Sequence, residues 1–163
     1  AELHVALDTC GAAAWARYAQ ILPLVDLVLY DLKVYDAECH ESSTGVDNCT
    51  ILEHARRISA SGTPMWIRTP VIPGHTATQA NISALADFIA AELDTVQRWD
   101  LLAYTNLGQP KYHRLDLPYA LEGVSLPTGA EMEALHAIAV QRVPSATWSG
   151  ATRQEETPAD PAQ

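Results

Sequence analysis

Five charged or polar side chains lie at or near the ends of four hydrophobic segments in this sequence. Each segment is followed by a stretch with helical periodicity, which is the order expected of a β/α fold. In such folds the carboxyl ends of the parallel strands form the edge where ligands bind. Acidic and basic groups gathered at that edge are suited to a small charged ligand. The five residues are Asp8, Asp31, Lys33, Arg68 and Thr105.

Strand geometry predicts that four of these side chains converge. Successive side chains alternate between the two faces of a strand, so Asp31 and Lys33 share one face. If that face lines a barrel interior, Asp8 and Arg68 lie near the same rim. Two adjacent carboxylates repel unless a cation lies between or beside them. Lys33, Arg68 or a metal ion with oxygen ligands could be that cation, and a zwitterionic ligand would also find complementary charges.

A simpler interpretation gives these residues no ligand. An aspartate at a strand end, such as Asp8 before Gly11, is usually a turn former or a helix cap. Asp31 and Lys33 could form a surface ion pair that contributes about 0–1 kcal/mol. The repetition of charged residues at several strand ends favours the binding site.

Hydrophobic periodicity predicts four strand–helix units, with capping boxes at Thr50–Glu53 and Thr128–Glu131. Loops are expected at 40–45 and 107–127. The predicted fold class is α/β, a partial (half) TIM-type barrel of about four βα units with a parallel sheet. The predicted strands are 3–8, 24–32, 65–71 and 99–104, and the predicted helices are 12–22, 50–61, 79–93 and one that begins at Thr128.

Composition limits the class of protein. The 163 residues include 10 Lys+Arg and 20 Asp+Glu, and the resulting formal net charge of −10 argues against nucleic acid and anionic membranes as partners. No apolar run approaches the length of a membrane span. Residues 1–145 have the composition of one folded domain, whereas 146–163 are polar and are expected to form a disordered tail.

The cysteines predict neither a disulfide framework nor a metal site. Cys10, Cys39 and Cys49 are widely and irregularly spaced, which favours a reducing cytoplasm. None of them forms a CxxC or CxxxCxxC motif, so the sequence shows no iron–sulfur or zinc site of its own.

Several motifs carry a family resemblance over roughly residues 3 to 143. They are LDTCG, LYDLK, a Trp-Ile-Arg strand followed by VIPG, LLAYTNLGQPKY and LPTGAE. Together they resemble the carboxyl-terminal half of the radical S-adenosylmethionine (SAM) proteins that activate glycyl radical enzymes, of the pyruvate formate-lyase activating enzyme type. The DLK and VxPG pair, in this order and spacing, is the more specific part of the resemblance.

The resemblance implies a reaction as well as a fold. The complete enzyme would be a partial (β/α)6 barrel in which a CxxxCxxC loop holds a [4Fe-4S] cluster and SAM binds that cluster. Reduction through a flavodoxin-type donor would yield a 5′-deoxyadenosyl radical, which removes hydrogen from a glycine of the partner glycyl radical enzyme.

The resemblance also assigns roles to residues at the strand ends. Pro70 lies where the family usually has a branched apolar residue, and Thr105 lies where a histidine is common. The implied cofactor-binding residues are Asp8, Asp31, Lys33, Arg68, Pro70 and Thr105. The implied monovalent-cation site comprises Asp8, Thr9, Leu29 and Asp31, with Thr9 and Leu29 contributing backbone atoms.

The missing cluster motif leads us to expect half an enzyme, either an expressed fragment or a truncated gene product, that is inactive alone. Two other functions remain open. One is a small α/β lyase with Lys33 as a Schiff-base nucleophile, although this needs a lowered lysine pKa and Asp31 acts in the opposite direction. The other is a non-catalytic interaction module, since half a barrel leaves open sheet edges that favour self-association.

Overall fold

The computed structural model describes residues 3–154. Five parallel strands form one sheet in the order β1-β2-β3-β4-β5. The strands are β1 Ala6–Thr9, β2 Leu27–Asp31, β3 Met65–Val71, β4 Val96–Ala103 and β5 Ala146–Ser149. The helices are α1 Trp15–Ile21, α2 Ala37–Thr44, α3 Cys49–Ala60, α4 Gln79–Glu92, α5 Gln109–Arg114 and α6 Gly129–Ala139. Within 3–154, no helix combines the length and the apolar character needed to cross a bilayer.

The sequential strand order leaves one face of the sheet without helices. Crossovers between parallel strands are right-handed in almost all proteins, so strands added in one direction carry their connecting helices on the same side. Burial along β3 alternates accordingly. Met65 and Ile67 are fully buried, whereas Trp66 and Arg68 on the opposite face are partly exposed. That opposite face, which we call the inner face, corresponds to the interior of a barrel, and the predicted α/β fold is confirmed.

Helix α6 begins at the predicted capping box. Thr128 Oγ1 accepts a hydrogen bond from the backbone N–H of Glu131 at 3.1 Å, and Glu131 Oε2 accepts one from the Thr128 N–H at 2.6 Å. These bonds satisfy two of the backbone donors that a helix start leaves unpaired. The helix then buries one face of its surface, formed by Met132, Leu135 and Ala139.

The predicted capping box at Thr50–Glu53 is wrong. Helix α3 begins one residue earlier, at Cys49, and its N-cap residue is Asn48. The Asp47 carboxylate accepts from the Cys49 N–H at 2.8 Å, so it occupies the place expected for a threonine hydroxyl. The predicted apolar face is present, since Ile51, Ala55 and Ile58 are buried.

The predicted loop at 40–45 is also wrong, because these residues belong mostly to α2. Asp36 Oδ1 accepts from the Cys39 N–H at 2.9 Å and starts the helix. Gly45, with φ of 82°, ends it in the left-handed conformation that glycine adopts readily. Between these caps His40 is the buried residue, so the segment has no apolar stripe that periodicity could detect.

The predicted tail begins too early. Residues 146–149 form β5, which pairs with β4 through Trp99 and Ala146 and adds a fifth strand to the predicted four. Ala146 is buried at 5% exposure, because the strand lies against the sheet although the segment that follows it is polar. Farther on, Arg153 pairs with Thr128. The remainder of the predicted tail, from residue 155, lies outside the described residues.

A buried tyrosine fixes the turn that follows β1. The Tyr30 hydroxyl donates to the Ile51 carbonyl at 2.7 Å, and its ring is fully buried. Gly11, with φ of +80°, lies so close that a Cβ there would be 1.9 Å from Tyr30 Oη. His54 Nδ1 lies 2.8 Å from the Gly11 carbonyl oxygen. These contacts hold the turn that begins just after Asp8.

We expect Gly11→Ala to destabilise the protein by roughly 2–5 kcal/mol, the sum of left-handed backbone strain and a core clash. Gly62→Ala is the matched control, because Gly62 has φ of +82° and open space where its Cβ would be. We expect Gly62→Ala to lower the free energy of unfolding by the backbone strain alone, about 1–2 kcal/mol. The free energy of urea unfolding measures both, and equal losses would show that Tyr30 does not restrict this turn.

Candidate functional site

Arg68 binds two aspartates from neighbouring strands. Its Nε donates to Asp31 Oδ1 at 2.9 Å, and its Nη2 lies 2.7 Å from the same oxygen. Nη1 donates to Asp8 Oδ2 at 2.8 Å, and Nη2 also donates to Asp8 Oδ1. A planar guanidinium with its rigid set of N–H donors suits this arrangement better than an ammonium group does. The predicted convergence of these three side chains is present.

The register of the parallel sheet explains the convergence. Asp31 pairs directly with Arg68 across β2 and β3, and Asp8 pairs with Leu29 across β1 and β2. Since side chains two residues apart share a face, Leu29 and Asp31 point to the same side as Asp8 and Arg68. The Arg68 side chain is long enough to reach diagonally over β2 to Asp8. Three neighbouring strands therefore contribute one charged side chain each.

The electrostatic interactions within this cluster favour the charged forms of Asp8 and Arg68. The side chain of Arg68 is 22% exposed, that of Asp31 25% and that of Asp8 62%. The hydrogen bonds from Arg68 hold the pKa of Asp8 below its ordinary value. In turn the hydrogen bonds to Asp8 raise the pKa of Arg68, although partial burial opposes this. The guanidinium therefore remains charged at every physiological pH.

Lys33 lies just beyond β2 on a segment of fixed backbone. Its Nζ is 3.9 Å from Asp31 Oδ2. Asn81 Nδ2 donates to the Lys33 carbonyl at 3.0 Å, and Asn48 Nδ2 donates to the Val34 carbonyl at 2.9 Å. Both asparagines are buried, so these bonds anchor the segment from the protein interior. Neither asparagine is among the predicted site residues.

An open cavity of 280 Å³ lies at the same edge of the sheet. Two of the predicted cofactor-binding residues, Lys33 and Pro70, line it. Its volume is near the lower limit of small-molecule sites, which run from roughly 300 to 1,000 Å³. A larger cavity of 490 Å³, near the starts of α2 and α4, contains none of the predicted residues. Other residues that line the smaller cavity include Thr44, His75, Thr76, Tyr112 and Tyr119.

Pro70 and Thr105 lie at the same edge, and their roles stay predictions. Pro70 is two residues beyond Arg68 on the same face of β3, paired with Leu102. Thr105 follows β4 and precedes the short 3-10 turn Asn106–Gly108, where its side chain caps nothing.

A second acid–base pair on the inner face was missed by the sequence analysis. Asp100 Oδ1 accepts from Arg98 Nε at 2.5 Å and from Thr147 Oγ1 at 2.6 Å. Asp100 pairs with Arg68 across β3 and β4, so the two clusters lie in one row. The guanidinium of Arg98 also lies over the Trp66 ring, 5.1 Å from its centroid.

The missed pair has a structural cause. The predicted fourth strand began at Trp99, whereas β4 begins at Val96. Met65 pairs with Val96 but the next residue of β3 pairs with Arg98, so Gln97 is an extra residue in β4. Such a bulge interrupts the two-residue alternation on which a sequence-based assignment depends. The one signal in the sequence was the two-residue spacing of Arg98 and Asp100, which places both side chains on the same face of a strand.

The predicted monovalent-cation site does not fit the side chains present. The carboxylates of Asp8 and Asp31 already bind Arg68. Across residues 3–154, no group of three or more His, Cys, Asp and Glu side chains is placed to hold a metal ion. An iron–sulfur cluster fits no better, because the three cysteines are exposed and form no such group.

The Asp8–Arg68 pair makes stability depend on pH in the acidic range. Because the pKa of Asp8 is lowered from 3.8 on folding, its contribution is present above about pH 4 and is lost as pH falls through the lowered value. We expect Arg68→Gln to remove this part of the pH dependence of urea unfolding. Arg98→Gln is the control, since Arg98 binds Asp100 instead. Equal changes in both variants would contradict the assignment.

The chain resembles curated proteins over most of its length. It is 39% identical over 146 residues to the isethionate sulfite-lyase activating enzyme of Nitratidesulfovibrio vulgaris, covering 88% of this chain and 46% of that protein. It is 36% identical over 132 residues to the pyruvate formate-lyase-activating enzyme of Streptococcus mutans, covering 77% and 50%. The chain thus spans about half the length of these relatives. No protein-family model matches it.

Solved structures share the fold. A crystallised domain of the pyruvate formate-lyase-activating enzyme from Bacteroides vulgatus has a TM-score of 0.72 and 26% identity, covering 91% of this chain and 82% of that one. Streptococcus suis SuiB bound to S-adenosylmethionine has a TM-score of 0.63 over 89% of this chain and 31% of its own, and at 14% identity it shows the fold alone. The chain is therefore a homologue of the activating enzymes of glycyl radical enzymes, with the α/β partial-barrel fold of radical SAM proteins.

Proposed function

We propose that this chain is the SAM-binding part of an enzyme that generates a glycyl radical on a partner lyase. The observation that carries the proposal is the convergence of Asp8, Asp31, Lys33 and Arg68 at one edge of the sheet. The relatives that share this chain's sequence are activating enzymes. Since the chain spans about half of their length, the complete reaction is proposed for the complete enzyme.

The side chains present fit the charged groups of SAM. The methionyl part of SAM carries a carboxylate, an amino group and a sulfonium. Lys33 lines the cavity with its ammonium 3.9 Å from the nearest Asp31 oxygen, and would bind the carboxylate. Asp8 and Asp31 supply negative charge for the amino group, and Arg68 holds both carboxylates in place. Pro70 gives the cavity an apolar wall.

This chain would contribute binding and orientation. When reduced, SAM supplies a 5′-deoxyadenosyl radical, and that chemistry belongs to the cofactor. Charged groups fixed before binding need no rearrangement when the ligand arrives. The 163 residues contain no CxxxCxxC motif, so the [4Fe-4S] ligands would come from elsewhere in the complete enzyme, and a flavodoxin-type donor would supply the electron there.

The proposal extends to the partner protein, the cellular compartment and the self-association of the chain. The partner would be a glycyl radical enzyme of the pyruvate formate-lyase type, as named for one relative. The cysteine thiols are free, which suits a reducing cytoplasm. Strands β1 and β5 each end the five-stranded sheet, and open edges of this kind favour self-association of the isolated chain.

The Schiff-base alternative lacks structural support. A nucleophilic lysine needs removal from water or a neighbouring cation. Lys33 is 37% exposed, and its nearest charged neighbour is the carboxylate of Asp31.

We expect the chain to bind SAM, and Asp31→Asn to weaken that binding at least about tenfold, or about 1.4 kcal/mol, because a charged contact and an anchor of Arg68 are lost together. Isothermal titration calorimetry measures the affinity. Asp87→Asn is the control, because Asp87 lies on helix α4, away from the site, and forms an ion pair with Arg142. Equal affinity in the native chain and Asp31→Asn, or no binding by the native chain, would refute the proposed SAM site.

We expect no reductive cleavage of SAM by the 163-residue chain after treatment with iron, sulfide and a strong reductant, since the cluster ligands are absent from its sequence. Chromatography for 5′-deoxyadenosine provides the measurement. Formation of this product above that of a Cys10→Ser/Cys39→Ser/Cys49→Ser variant would show that the chain assembles a cluster of its own.

A further inference from the structure

Each carboxylate oxygen of Asp8 and Asp31 faces a basic group. Both oxygens of Asp8 accept hydrogen bonds from Arg68. Asp31 Oδ1 accepts from Arg68 Nε at 2.9 Å, and Asp31 Oδ2 lies 3.9 Å from Lys33 Nζ. Two negative and two positive side chains sum to zero. The cluster is therefore electrically complete with protein groups alone.

A bound potassium or sodium ion would have to compete with the guanidinium. Hydrogen bonds between two charged groups are roughly twice as strong as neutral ones, and Arg68 makes several of them in a fork that matches both carboxylates. A monovalent cation carries the same charge but must first lose part of its hydration.

We propose that Arg68 is the built-in counter-ion of this site, which occupies the place where the family resemblance puts a monovalent cation. Neutralisation of Asp8 and Asp31 is then a property of the folded chain and does not depend on the salt present. Without Arg68, two facing carboxylates and a single lysine carry a net charge of −1, and the site becomes one that attracts a cation.

The neighbouring pair on the inner face provides a matched comparison. Arg98 binds Asp100, and Thr147 donates to the same carboxylate oxygen. Loss of Arg98 would leave one carboxylate that still accepts a hydrogen bond from a hydroxyl group. Two facing carboxylates, which a cation could bridge, exist only at the Arg68 cluster of this row.

The test is thermal unfolding of the 163-residue chain in potassium, sodium or choline chloride at equal ionic strength. We expect the native chain to have the same Tm in all three salts. Arg68→Gln should be stabilised by potassium or sodium relative to choline by roughly 2–4 °C, the shift for a small stability gain in a domain of this size. Arg98→Gln should show no such preference, and Asp8→Asn combined with Arg68→Gln should abolish it.

A direct measurement decides the matter if Arg68→Gln does not fold. Thallium(I) replaces potassium in proteins and is visible by NMR, so a thallium titration of the native chain should give no saturable signal. A saturable signal from the native chain, a native Tm that rises in potassium or sodium over choline, or a folded Arg68→Gln variant without cation preference would each overturn the proposal. No SAM is present, so the outcome is independent of the proposed function.

Discussion

A single guanidinium group connects three neighbouring parallel strands. Arg68 on β3 reaches Asp31 directly and Asp8 across β2. The contact requires that all three strands keep their register and that their inner faces point the same way. The position of the site is therefore a consequence of the sheet, and the turn after β1 and the segment after β2 are held in place by buried side chains.

Because the connecting helices cover one face of the sheet, charged side chains can lie on the other face. The helix side of the sheet is filled with fully buried side chains such as Tyr30, Ile67 and Trp99. The inner face instead carries charged residues that are paired with one another, and most of them, such as Asp8, Lys33 and Arg98, are partly exposed. Local neutrality on this face contrasts with the formal net charge of −10 for the whole chain. A charged ligand near the inner face would experience the arrangement of these pairs more than the net charge, because exposed charges farther away are screened by salt.

Strand-end residues could be identified from the sequence because hydrophobic runs are a strong signal and strand periodicity fixes the face of each side chain. This was enough to predict that Asp8, Asp31 and Arg68 converge, and that the fold is α/β. Other features had weaker signals. Helix α2 buries little, so its caps are its main sequence signal. Strand β5 is short and precedes a polar segment, so composition alone assigned it to a tail. The asparagines that anchor the Lys33 segment bind carbonyl groups 14 and 48 residues away in the chain, and these partners meet only in the folded protein.

Gln97 has an effect on shape as well as on pairing. An additional residue on one of two hydrogen-bonded strands lengthens that strand locally, so the strand bends and its right-handed twist increases. Here the extra residue is at the amino end of β4, beside Met65 and Trp66. A flat sheet cannot close into a barrel, whereas a bulge between β3 and β4 gives the sheet curvature. One glutamine thus helps to turn a row of parallel strands into an arc.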